Sequence, residues 1–369
     1  MELALYHPQF GYYSTRQSIL GPQGDFITSP HMGHDFGETI AEQFVDMWQA
    51  LEQPKPFTLV EMGAGQGLVA ADVLAYLQKE YPGCFACLQY VVVEKSAALR
   101  SEQKKRLSYW QEQGVQLSWQ TLAEIPDQSI IGCMFSNELV DAFPVHWVET
   151  RDQSLHEMWV GVNEKGLMPV LAKLSTPQLQ TYFDQVGIDL SDYPNGYRTE
   201  VNLAALDWLK TVSERMKRGY VLTIDYGYAA QRYYSKARNQ GTLQCYYRHA
   251  HHDDPFSSVG EQDITAHVDF TALENWGREA GLTQVGFTQQ GLFLMALGLG
   301  DRLSALSYPT SNQAATSQNI QSIMMRREAL QQLISPMGFG NFGVLIQSKG
   351  LTPKEIARPL KGLTIPPMF

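Results

Sequence analysis

The chain has 369 residues, 44% hydrophobic and 18% charged, with 30 glycines and 18 prolines; that composition supports a large apolar core and excludes disorder or fibre for the bulk. Lysine and arginine number 28 against 38 aspartates and glutamates, a formal charge of -10, so binding to nucleic acid or insertion at an anionic membrane, which both need a cationic surface, is not expected. No stretch reaches the roughly 20 apolar residues that cross a bilayer.

The first fifty residues hold one lysine or arginine, Arg16, and match neither a secretory signal nor an Arg-rich transit peptide, which makes the cytoplasm the expected location. Phe57 to Val60 reads as a buried strand that runs into the glycine cluster Glu61-Met62-Gly63-Ala64-Gly65-Gln66-Gly67. Ala70, Val73, Leu74 and Leu77 follow at the spacing of one helical face, closed by Pro82-Gly83. A second strand over Leu88 to Val93 ends at Glu94; a helix around Leu99 to Leu107, a short strand near Val115 to Leu117, and a fourth apolar run, Ile130 to Phe135, come next. Strands alternating with helices imply a parallel sheet covered on both faces.

From Val145 the pattern changes to three strand-like segments, His146 to Thr150, Leu155 to Val160 and Leu167 to Lys173, read as an inserted β-meander with a turn at Asp152-Gln153. Trp147 and Trp159 in it are candidates for a homodimer face or for core. A helix through Val201, Ala205, Trp208 and Val212 and a strand over Tyr220 to Ile224 rejoin the sheet, ending in Asp225-Tyr226-Gly227. The histidine-rich stretch Tyr246 to Pro255 has no metal-ligand spacing and is expected to be an ordered loop over the site; no metal is expected. Cys84-x-x-Cys87 has no second pair, and the four cysteines read as structural thiols. The stretch from Leu303 to Met325 lacks charge and is expected to be a mobile loop. Phe342 to Gln347 is the last strand, and Pro359 to Phe369 is expected to lie extended on the surface.

The glycine cluster departs from the pyrophosphate-binding fingerprint, because Leu68 stands where its last glycine should. Glu61 closes the strand with a carboxylate that repels phosphate and attracts an ammonium, and the glycines let backbone approach a flat ligand. S-adenosyl-L-methionine fits this turn, and Glu94 at the next strand end is placed to accept its ribose hydroxyls, unless it only caps the following helix. Ligands of open α/β sheets lie beyond the carboxyl ends of the strands, so Asn137, Glu138 and Asp141, after the fourth strand, should face a methyl acceptor. An arginine acceptor would need a carboxylate pair to grip its guanidinium, and Glu138 and Asp141 are the candidates; the competing reading has Asp141 as a helix cap and Glu138 bound only to backbone.

Five ordered segments carry a resemblance: Gly24 to Pro30, Glu61 to Gly67, Asn137 to Val145, Asp225 to Gly227 and Asp263 to Phe270. Together they resemble the MidA-like family of class I S-adenosyl-L-methionine-dependent methyltransferases, whose mitochondrial members include a complex I assembly factor that methylates arginine. The resemblance implies a Rossmann-like, mostly parallel seven-stranded α/β sheet. It implies a cofactor lined by Gly63, Gly65 and Gly67 with its ribose on Glu94, an acceptor faced by Asn137, Glu138 and Asp141, and a substrate cleft completed by Asp25, Thr28, Ser29, Pro30, Asp225, Tyr226, His267 and Asp269. It also implies a protein substrate, with a respiratory-complex subunit as one candidate. The expected organisation is an N-terminal extension over 1–50 covering the cleft, a cofactor-binding half over 51–145, the meander and a helix over 146–199, the rest of the core with cleft loops over 200–350, and a tail over 351–369. The alternatives are a non-catalytic assembly or chaperone protein and a small-molecule methyltransferase.

Overall fold

The computed structural model describes residues 1–15, 21, 27–247, 250–306 and 317–364. Seven strands form the central sheet: β1 (Phe57–Met62), β2 (Leu88–Val93), β3 (Gln116–Gln120), β4 (Ile130–Asn137), β5 (Met216–Asp225), β6 (Thr283–Gln289) and β7 (Gly343–Lys349). They lie in the order β3-β2-β1-β4-β5-β7-β6, with β7 antiparallel to both neighbours. The direction of strand addition reverses between β1 and β4, and such a reversal opens a crevice at the carboxyl ends of the two strands. The expected α/β sheet is therefore present, and it brings the glycine cluster and the Asn137 to Asp141 loop side by side.

The sheet is buried on both faces. Phe57, Leu59 and Phe135 pack against the helix Asp35–Ala50, whose Phe36, Ile40, Phe44 and Met47 recur on one face. Val60, Met134 and Val221 meet Trp208, Leu209 and Val212 of the helix Leu203–Arg215 on the other. A fully buried side chain of this size contributes about 1.5–3 kcal/mol, so the two clusters hold the switch point rigid.

The meander is present as His146–Arg151, Ser154–Asn163 and Gly166–Ala172, and Arg198–Val201 adds a fourth strand. Asp152 and Gln153 both adopt φ of 50–58°, the conformation of a two-residue hairpin turn whose twist matches its strands.

Three expectations are corrected. The histidine-rich stretch is a hairpin, Gln244–Tyr247 with Ala250–His252, extended by Asp263–Thr265 into a three-stranded sheet; alternation of Cys245 into a small apolar cluster with Leu5 and Tyr12 drives it. The charge-poor stretch gives way at Ser317 to a helix, Ser317–Ile334, because Leu330 and Leu333 beyond that stretch are buried and Arg326 pairs with Asp35; residues 307–316 lie outside the described residues. The tail is docked, not extended: Leu360 is buried, Lys361–Leu363 forms a 3-10 turn, and the Gly362 N–H donates to Gln43; residues 365–369 lie outside the described residues.

Candidate active site

A cleft of about 670 Å³ opens over the switch point. Its first wall is the turn after β1, where Gly63, Gly65 and Gly67 have φ of 72°, 52° and 76°. L side chains rarely adopt this left-handed region, and a Cβ on Gly63 would stand 2.7 Å from Leu139 Cδ1. Gly63 and Gly65 line the cleft, whereas Gly67 caps the helix Leu68–Glu80 behind it.

Glu61 lies beneath the turn, buried, with Oε2 accepting the Tyr90 hydroxyl at 2.6 Å. Burial, reinforced by Glu94 and Asp72 against the hydrogen bond from Tyr90, pushes its carboxyl up to about 8. Glu94 follows β2 and lines the cleft; its oxygens accept the Ser96 N–H at 2.9 Å and Gln103 Nε2 at 3.2 Å. Ser96, not Glu94, caps the following helix through the Leu99 N–H, and because a carboxylate offers about four acceptor sites, Glu94 keeps capacity for a ligand. Gln103 was not legible in the sequence: Nε2 also donates to Gly65 O at 2.7 Å and Oε1 accepts the Trp119 indole, tying the turn to Glu94.

The facing wall is the loop after β4. Glu138 sits at φ 52°, a conformation costing about 1–2 kcal/mol for a non-glycine residue. Its Oε1 accepts the Ser29 N–H at 3.0 Å and Asn137 Nδ2 at 3.1 Å, and burial first, then Asp141, raises it to about 8. Asp141 is buried with Oδ2 accepting the Tyr226 hydroxyl at 2.6 Å, while Oδ1 has no partner; burial raises its carboxyl to about 6. Asn137 Oδ1 and His267 Nδ1 are likewise buried and unpartnered, and burial lowers His267 to about 4, leaving it neutral.

Asn137, Glu138, Asp141, Thr28, Pro30, Tyr226 and His267 line the cleft with Glu61, Gly63, Gly65 and Glu94. Asp25 lies outside the described residues. Three assignments to the cleft wall are corrected. Asp225 is fully buried behind the loop, where Oδ2 accepts the N–H groups of Leu139 and Val140 and Oδ1 that of Tyr226; it shapes the wall. Asp269 caps the helix Phe270–Glu279 through the Ala272 N–H and accepts the Tyr182 hydroxyl. Ser29 is buried and reaches the cleft only through its bond to Glu138.

The N-terminal residues close the roof, a role carried by long-range contacts that no local spacing announces. Tyr13 donates to Asp263 at 2.8 Å and its carbonyl accepts Ser96 Oγ; Tyr6 donates to the Ala142 carbonyl and stacks on Tyr13. Away from the cleft, His34, Asp35 and Glu38 cluster with metal-like proximity, but Arg302 meets both carboxylates and Arg326 grips Asp35 through two bonds of 2.7 Å.

The family described as "Putative S-adenosyl-L-methionine-dependent methyltransferase" matches residues 39–288, more than half of the chain. The chain belongs to this family. A Drosophila melanogaster relative, the mitochondrial protein arginine methyltransferase NDUFAF7 homolog, is 30% identical over 332 residues, 83% of this chain and 72% of its own length. Human NDUFAF7 is 27% identical over 352 residues, 88% of this chain and 75% of its own. A solved Burkholderia thailandensis structure bound to S-adenosyl-homocysteine is 30% identical with a TM-score of 0.81, covering 97% of this chain and 89% of that one.

The chain is thus an S-adenosyl-L-methionine-dependent methyltransferase, and the buried acid beneath a turn in which Gly63 admits no side chain fits that cofactor better than a phosphorylated one. The cytoplasmic expectation is overturned: the named relatives are mitochondrial proteins. Among the described residues no helix is long and apolar enough to cross a membrane.

Proposed function

We propose that this methyltransferase acts on an arginine nitrogen of a protein substrate, and that the carboxylates of Glu138 and Asp141 hold the guanidinium. The observation that carries the reading is the buried, unpartnered Oδ1 of Asp141 beside Glu138 at the end of the cleft facing the glycine turn. An acceptor-only oxygen cut off from water costs about 1–3 kcal/mol until a donor reaches it, and a guanidinium brings five N–H donors in a planar fork. Lys95 is the one lysine or arginine among the described lining residues, so nothing on that wall competes for the carboxylates. The naming of the relatives as protein arginine methyltransferases supports the same acceptor.

In this reading Glu61 receives the cofactor's ammonium, Gly63 and Gly65 let the backbone approach it, Gly67 completes the turn and Glu94 takes the ribose. When bound, the cofactor supplies an electrophilic methyl group on a cationic sulfur. The chain's own residues do the rest: Asn137 and the Ser29 N–H fix the Glu138 carboxylate, Asp225 fixes the loop, Tyr226 fixes Asp141, and the Tyr6–Tyr13 roof limits water. Glu138 and Asp141 orient one guanidinium nitrogen and draw off its proton as it is alkylated, the general-base role.

A respiratory-complex subunit is the partner this family resemblance favours. A homodimer would use the outer hairpin of the meander, where Trp159, Val160 and Val162 are exposed; Trp147 is only partly exposed and lies under Arg198. The deciding experiment incubates the protein with methyl-labelled cofactor and cell lysate and reads methylarginine by mass spectrometry. Label on polypeptide arginine that disappears in Glu138→Gln and Asp141→Asn supports the reading; label confined to the low-mass fraction overturns it.

A further inference from the structure

A line of aromatic rings leads from the acceptor carboxylates to the cleft rim. Tyr226, bonded to Asp141, meets the His267 ring at 5.1 Å, and His267 meets the Tyr228 ring at 5.2 Å. Beyond them two guanidiniums, those of Arg232 and Arg238, lie 4.3 and 4.5 Å from the centre of the Tyr228 ring. Tyr228 and His267 line the cleft, and the two arginines stand against Tyr228 just outside that lining, forming the rim. Tyr228 is fixed where β5 runs on, because Gly227–Tyr228 pairs with Val268–Asp269. Arg238 is held by bonds from Nη1 to the carbonyls of Arg232 and Tyr233.

These two arginines differ from others in the chain. Arg198, Arg218 and Arg326 each meet a carboxylate, whereas among the described residues neither Arg232 nor Arg238 forms an ion pair. Two like charges against one ring repel each other, and stacking on an aromatic face leaves guanidinium N–H donors unused. In a chain of charge -10, with carboxylates on the adjoining cleft wall, two uncompensated cations at one rim are a local inversion of charge. A carboxylate is the group that satisfies both, because its two oxygens accept charge-assisted hydrogen bonds from paired guanidiniums.

We propose that Arg232 and Arg238, with Tyr228 as their platform, form a specificity rim that selects substrates carrying an aspartate or glutamate near the arginine to be methylated. Three steps of 5.1, 5.2 and 4.3 Å lead from Tyr226 to Arg232, so the direct span is at most their sum and an extended chain crosses it in about four residues or fewer. The inference rests on the proposed arginine acceptor and assigns its sequence context. The cleft then reads a dipole: the acidic wall takes the guanidinium, and the cationic rim takes the acid upstream or downstream of it.

The test uses nine-residue peptides with one central arginine and a single aspartate placed in turn at each of the four positions on either side, each paired with its asparagine counterpart. Affinity is read by fluorescence anisotropy on protein saturated with S-adenosyl-homocysteine, and KM and kcat by product release with the methyl donor. The expected result is one position at which aspartate binds about tenfold more tightly than asparagine, through KM and not kcat. That ratio should fall to about one in Arg232→Gln/Arg238→Gln and invert, with asparagine bound more tightly than aspartate, in Arg232→Glu/Arg238→Glu. Arg238 also braces a helix end, so Arg232→Gln alone, at an exposed side chain, provides the second variant and should lower the ratio at least threefold. Methyl transfer with no preference at any position, or a preference that survives in both glutamine variants, overturns the rim. Absence of transfer to every peptide overturns the arginine acceptor and the rim with it.

Discussion

Replacing Glu61 with glutamine tests the physical basis of cofactor recognition, because the two properties it changes move in opposite directions. In the cofactor-free protein the Glu61 carboxyl is buried and raised to about 8, so at pH 6 forming the carboxylate that an ammonium needs costs about 2.7 kcal/mol at about 1.36 kcal/mol per unit. Wild-type affinity for S-adenosyl-L-methionine should therefore rise about fiftyfold between pH 6 and pH 8, with close to one proton released per cofactor bound at pH 6.5. Titration calorimetry in two buffers of different ionisation enthalpy measures both. Glu61→Gln should lose the slope and bind about 10–100-fold more weakly at pH 8.5, the loss of a hydrogen bond to a charged group. Stability moves the other way. A carboxyl whose folded value is raised above its unfolded value of about 4.3–4.5 stabilises the fold least at high pH, since between those values the native state holds a proton that the unfolded chain has released. Glu61→Gln should thus unfold at a higher temperature than cofactor-free wild type at pH 8, by an amount equivalent to about 4 kcal/mol at about 1.36 kcal/mol per unit, with the gap closing toward pH 5. A flat wild-type affinity across this range, or a slope that persists in Glu61→Gln, would refute the reasoning.

Three further outcomes are expected. Gly63→Val combines a left-handed backbone with a contact on Leu139; calorimetry should show cofactor affinity reduced more than hundredfold while circular dichroism stays native. Because burial raises Glu138 to about 8 and Asp141 to about 6, kcat/KM should climb as pH rises from 6 to 8, and Glu138→Gln should lower kcat by 10²–10⁴-fold without abolishing cofactor binding. Asp35 is buried under Arg302 and Arg326, whose bonds hold its carboxyl below the usual range despite burial, so its contribution is present above about pH 4 and lost as pH falls through its lowered value. Asp35→Asn should cost about 1–3 kcal/mol, partly screened because Arg326 is 41% exposed, and should speed hydrogen exchange in the helix Ser317–Ile334.

Elements whose signal is local are legible in the sequence alone. Phe57–Met62 and Leu88–Val93 are runs rich in β-branched and aromatic residues with an acid near or just past their ends, Glu61 and Glu94, and the turn at Asp152-Gln153 carries its own backbone preference. The glycines at 63, 65 and 67 specify a backbone that only glycine adopts without strain, which is why the cofactor turn could be read from spacing. The helix Ser317–Ile334 was hidden for the opposite reason. Ile320, Met324 and Met325 near its start are exposed, so its hydrophobic pattern declares no buried face, and Leu330, Leu333 and Arg326 anchor it to partners hundreds of residues away.

The candidate site divides along the same line. Glu61 is the penultimate residue of its strand and Glu94, Glu138 and Asp141 follow strand ends, and an α/β pattern alone sends strand ends to one rim. Chain order does not say which acid faces the cleft and which supports a loop: Asp225 and Asp269 follow the same local logic as Glu138 yet serve Leu139, Val140 and Ala272 backbone. Gln103, Tyr6 and Tyr13 gained their positions only when helices and the N-terminal segment folded over the sheet. The sequence by itself determined the first four strands of the sheet, the three strands of the meander, the glycine turn and the charge of the cleft, because those depend on neighbours along the chain. Tertiary structure alone decided which carboxylates lost their water, since desolvation depends on everything packed around a group and not on its place in the sequence.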